Sequence, residues 1–144
     1  MRIPHVSSIA MTVGFAALML AAPTARGEML QFKADLAGAS EVPANTEKGT
    51  GKGEFRFDST TKQLSWTVTY NGLTGPATAA HIHGPAAVGA NAPPIIPFAS
   101  PASPISGTAT LTDEQVSSLM AGMLYVNVHT ATHRPGEIRG QIVK

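Results

Sequence analysis

Four of the five histidines in this sequence fall in two short motifs, His81-Ile82-His83 and His129-Thr130-Ala131-Thr132-His133. Histidine is the side chain best suited to binding a transition metal as a neutral ligand. In an extended strand, residues two apart point to the same side and lie about 7 Å apart along the chain. His81 and His83 therefore share a face while Ile82 turns to the other. In the second motif Val126 and Val128 alternate with Tyr125, Asn127 and His129, which puts His129 on the face opposite the apolar residues as well. If strands 77–83 and 123–130 are neighbours, about 4.8 Å apart, three imidazole nitrogens can reach one ion at about 2.0 Å. His133, in the turn before Arg134-Pro135-Gly136, is a secondary candidate.

The donor set narrows the ion. Neither motif contains a carboxylate, and the chain has no cysteine, so the shell is all imidazole. Such a shell suits copper, with zinc second, and is poor for calcium or magnesium. The missing cysteines also exclude a disulfide framework, a thiolate zinc site and a cysteine nucleophile. No Gly-x-Ser-x-Gly elbow and no glycine-rich phosphate loop is present, so no catalytic set is assigned and the reading leans away from an enzyme. Glu137 and Arg139 alternate with Ile138 and are expected on a solvated face as a cross-strand ion pair.

The elements that must position the histidines read as strands. Leu30-Gln31-Phe32-Lys33-Ala34-Asp35-Leu36 alternates apolar and polar residues, as do Phe55 and Phe57 with their neighbours. Leu64-Ser65-Trp66-Thr67-Val68-Thr69-Tyr70 repeats the pattern before the turn residues Asn71-Gly72. Further strands are expected at residues 77–83, 105–111, 123–130 and 137–143, about seven in all. This predicts an all-β, antiparallel Greek-key sandwich or barrel, with Phe32, Phe57, Leu64, Trp66, Val68, Val126, Val128, Ile138 and Ile142 in its core. Residues 84–104 contain six prolines and are expected to form a long surface loop. Thr112-Asp113-Glu114-Gln115 has capping-box spacing and predicts one short helix near residues 112–121, ended at Gly122.

The first 27 residues carry Arg2, an apolar run of about 14 residues from Ile9 to Ala22, and then Pro23 and the small-x-small triplet Ala25-Arg26-Gly27. That order is expected of a secretory signal peptide, since the run is below the roughly 20 residues that span a bilayer. The expected mature domain is 28–144, secreted or periplasmic and free of the membrane after processing. Loss of Arg2 and Arg26 leaves 8 basic against 9 acidic residues, a net charge of −1 in place of the precursor's +1. With 13% charged residues there is no basic footprint for nucleic acid.

Several stretches resemble the CHRD (chordin-type) domain. They are Ala34-x-Leu36-x-Gly38-Ala39-x-Glu41-Val42-Pro43, Gly72-Leu73-Thr74-Gly75, Ala80-His81-Ile82-His83-Gly84-Pro85, and Tyr125-Val126-Asn127-Val128-His129-Thr130 followed by Gly136-Glu137-Ile138-Arg139-Gly140-Gln141. The resemblance spans residues 30–144 and implies an extracytoplasmic β-rich domain, without naming an activity. His133-Arg134-Pro135-Gly136 departs from the small residue and Pro-Gly-Gly usual in that family, which sets His133 apart from any family-wide site. The order of the histidine motifs is also similar to that of copper/zinc superoxide dismutases. That similarity implies a superoxide-dismutase-like fold and matches His81, His83 and His129 to three copper ligands. The bridging histidine, the zinc loop and the disulfide have no counterpart here.

Three readings follow. One is a secreted copper-binding domain using the outer-face histidines. The alternative is a metal-free extracellular interaction or adhesion module with a protein partner. The third is a copper-only, dismutase-like enzyme.

Overall fold

The computed structural model describes residues 27–144. The signal-peptide expectation falls almost wholly on residues outside these. Eight strands form one antiparallel sheet: β1 (Met29–Ala37), β2 (Thr50–Asp58), β3 (Gln63–Asn71), β4 (Ala77–His83), β5 (Pro94–Pro97), β6 (Ile105–Thr110), β7 (Tyr125–Thr130) and β8 (Ile138–Gln141). Their spatial order is β5-β4-β7-β8-β1-β2-β3-β6. The hairpins β1–β2 and β2–β3 are local, whereas β4 and β7 pair with each other across the chain, so the sheet is a Greek-key arrangement rather than a simple meander.

The sheet curls until its two ends nearly meet. Phe98, just after β5, donates its N–H to Ala80 O at 3.0 Å and stacks on Trp66 of β3 at 4.9 Å between ring centroids. Tyr70 of β3 donates its hydroxyl to Pro101 O at 2.7 Å. The chain between β5 and β6 thus bridges the gap, and the molecule is a nearly closed barrel.

The inward residues are those that the alternation selects. Phe32, Leu36, Phe55, Phe57, Leu64, Trp66, Val68, Ile82, Val126, Val128, Ile138 and Ile142 are all buried in one core cluster. Gly107 makes room for the indole, because a Cβ there would stand 2.6 Å from Trp66 Cζ2. The helix α1 (Asp113–Met120) buries Leu119 against this core. It begins with the capping box: Gln115 N–H donates to Thr112 Oγ1, and Thr112 N–H donates to the Gln115 side chain. Gly122, with φ +67°, follows its end.

One expectation needs correction. The proline-rich stretch is not loop throughout, because Pro94–Pro97 forms β5, one strand beyond the expected seven. Its two prolines stand at its ends and it occupies an edge of the sheet, where absent N–H groups cost least.

Trp66 gives the core a direct readout. The indole is 7% exposed and its Nε1 has no hydrogen-bond partner among the described residues. Its emission is expected to be blue-shifted in the folded protein and to move red on unfolding in urea. A solvated-indole spectrum that unfolding leaves unchanged would contradict this core.

Candidate metal centre

The pairing of β4 with β7 builds the site. Ile82 lies opposite Val126, both fully buried in the core, so the flanking residues of each strand must face outward. His81 lies opposite Asn127, His83 opposite Tyr125, and His129 opposite Ala79. One nitrogen from each of His81, His83 and His129 falls within 4.8 Å of the others. His81 Nδ1 and His129 Nε2 are 3.1 Å apart. His83 is 8% exposed, and the other two rings are partly exposed at the mouth of the cluster.

Two backbone carbonyls fix which nitrogens are free. His83 Nδ1 lies 2.8 Å from Ala92 O, and His129 Nδ1 lies 2.7 Å from Arg134 O. A carbonyl can only accept, so both rings carry their hydrogen on Nδ1 and present a lone pair on Nε2. His81 Nδ1–H then donates to His129 Nε2, and for His81 Nδ1 to ligate a cation this hydrogen would move to Nε2 of the same ring, which stays neutral. Burial and the neighbouring His129 and His83 push the His81 ring below the usual histidine value. His83 is pushed down chiefly by burial, even though the Ala92 carbonyl favours its charged form. Both rings are thus kept neutral, the form that binds metal.

The carbonyls are held in turn by outward-facing residues of β7 and β8. The Tyr125 hydroxyl donates to Ala92 O and accepts from Ala92 N–H, each at 3.1 Å, while its ring stacks on His83 at 4.8 Å. The Arg139 guanidinium lies 3.4 Å from the centroid of the Tyr125 ring and donates to Ala90 O at 2.6 Å and Asn91 Oδ1 at 3.1 Å. The segment before β5 is therefore pinned to the barrel next to His83. On the other side, Glu137 accepts from Thr74 N–H at 2.7 Å and from the Thr74 and Thr130 hydroxyls at 2.6 Å each. Thr130 Oγ1 also accepts from His133 N–H at 3.1 Å, fixing the turn that brings Arg134 O to His129.

Glu137 and Arg139 therefore do not form a solvated ion pair. They are 0% and 2% exposed, because the outer face of β7 and β8 is roofed by residues 84–93 and by the chain around Glu41. Glu41 lies in the first of the CHRD-like stretches, where its position in the sequence assigns it no role. Burial raises its carboxyl to about 7, against the pull of Arg139, the Val42 N–H, Asn127 and His133. Gly136 permits this packing, since a Cβ there would strike Glu41 Oε1 and Asn127 Nδ2.

The structure brings His81, His83 and His129 together and leaves His133 apart. His133 Nε2 lies 3.1 Å from Glu47 Oε1. A surface hollow of about 520 Å³ over β1 and β2, lined by Lys33, Glu54, Arg56 and Lys144 among others, contains none of the histidines. No helix among the described residues is long and apolar enough to cross a membrane.

No curated protein and no solved structure matches this chain. The model of the CHRD domain does, over residues 32–142, which takes in every strand but the first three residues of β1 together with all three clustered histidines. With a match over most of its length, this chain belongs to the CHRD-domain family.

Proposed function

We propose that the protein is a secreted or periplasmic copper-binding domain in which His81, His83 and His129 hold one ion. The observation that carries this reading is the convergence of their three nitrogens within 4.8 Å, with the lone pairs of His83 and His129 directed to Nε2 by backbone carbonyls. Orientation of this kind by an outer partner is the usual companion of metal-ligating histidine. An all-imidazole shell favours copper over the other divalent first-row ions, and zinc is the next choice. Bound there, copper would supply one-electron chemistry or be carried as cargo. The N-terminal sequence pattern supports export.

Calorimetric titration of untagged protein with copper(II) tests the reading. Each of His81→Ala, His83→Ala and His129→Ala is expected to weaken binding at least about 100-fold, beyond the 10–100-fold typical of outer-shell partners. His133→Ala should leave the affinity unchanged. Because burial holds His81 and His83 below the ordinary value of about 6.5, proton competition at these rings should set in only at lower pH. If the wild type binds no better than the triple-Ala variant, the metal reading fails and a metal-free interaction module takes its place.

A further inference from the structure

Asn127 stands opposite His81 in the β4–β7 register and two residues before His129, so its side chain leaves the barrel on the same face as the imidazoles. It is 2% exposed. A side-chain amide buried to that degree ordinarily finds partners for both of its ends. Asn127 Nδ2 has one, donating to Pro135 O at 3.2 Å, whereas Oδ1 has none among the described residues. His83 Nε2 is buried and unpartnered in the same way, on the strand paired with that of Asn127 and on the same outer face. Two neighbouring acceptors with no hydrogen between them are costly to bury unless a positive centre stands with them.

We propose that Asn127 Oδ1 is a fourth donor of the metal centre, completing a shell of three imidazole nitrogens and one amide oxygen. This rests on the metal-binding reading above and names a ligand that the histidine pattern alone does not reveal. A neutral carbonyl oxygen is a weak donor of the kind found in axial positions of copper sites. It adds no charge to the centre, in keeping with the neutral imidazoles.

Copper(II) affinity by competition titration and the copper(II) electron paramagnetic resonance spectrum, measured on wild type, Asn127→Asp and Asn127→Leu, test the proposal. Both variants lose the Nδ2–H donated to Pro135, so a purely structural role would weaken both alike and leave the spectrum of bound copper as in wild type. A donor role separates them. Asn127→Leu should bind about tenfold more weakly than wild type with altered copper hyperfine splitting, and Asn127→Asp should bind at least about tenfold more tightly than Asn127→Leu. If Asn127→Leu does not fold, as judged by Trp66 emission, Asn127→Val takes its place in the same comparison. Equal affinities of the two variants, or a wild-type spectrum in Asn127→Leu, overturn the fourth donor while leaving the three histidines in place. Absence of binding by the wild type is a separate result that overturns both readings.

Discussion

Replacing Arg139 with Met is expected to destabilise the protein by about 3–5 kcal/mol, measured as a fall in the urea midpoint at unchanged m-value. The Arg139 side chain is almost wholly enclosed, and an apolar replacement can make neither of its two hydrogen bonds. Two charge-assisted hydrogen bonds, to Ala90 O and Asn91 Oδ1, contribute about 1.5–3 kcal/mol each before losses to relaxation. The stacking over Tyr125 adds about 1–2 kcal/mol in a desolvated setting. Arg139→Lys should recover only part of the loss, because a single ammonium cannot reproduce the planar fork that reaches two acceptors while lying on a ring. A cost below about 1 kcal/mol for Arg139→Met would show that the roof over β7 and β8 holds without it.

The second large effect is a change of pH profile in Glu41→Gln. In the folded protein the Glu41 carboxyl keeps its proton up to about pH 7, against an ordinary value of 4.5. Between these values the folded chain holds a proton that the unfolded chain has released. Stability must therefore fall as pH rises through this window, and level off above about 7. Gln mimics the neutral carboxyl and carries no such penalty. The variant should match the wild type near pH 4.5 and exceed it by up to about 3 kcal/mol above pH 7, as read from urea unfolding across that range. His81 and His83 act with the opposite sign. Their folded values lie below the ordinary one, so they reduce stability as pH falls below about 6.5. That contribution is common to both proteins and cancels in the difference. A difference that does not vary with pH would mean that Glu41 is ionised throughout.

Much of this molecule could be read from alternation. A period of two assigns every strand residue to one face, so the core residues and the outward histidines follow from the same pattern. The parity of His81, His83 and His129 became a cluster because β4 and β7 are neighbours, a long-range pairing for which their sequences carry no local signal. Parity was also what misplaced Glu137 and Arg139. It correctly turned them away from the core, but outward is solvated only where nothing lies above the sheet, and here residues 84–93 cross over it. Asn127 was visible as an outward residue between two others of interest, yet an amide on a strand has no distinctive spacing, and only its unpaired, buried oxygen marks it. The strand Pro94–Pro97 was hidden by its prolines, whose bias against strands weakens at an edge.

Ala92 and Arg134 reach the histidines only through main-chain oxygens, atoms that every amino acid possesses. The information that sets the ring tautomers is therefore stored as chain path and loop length rather than as residue identity. Either position can drift in sequence while its carbonyl stays in place, but insertion or deletion of a single residue between His83 and Ala92, or between His129 and Arg134, would displace an acceptor and free a ring to turn. The spacing of these two segments, more than their composition, is what holds the histidine cluster in its orientation.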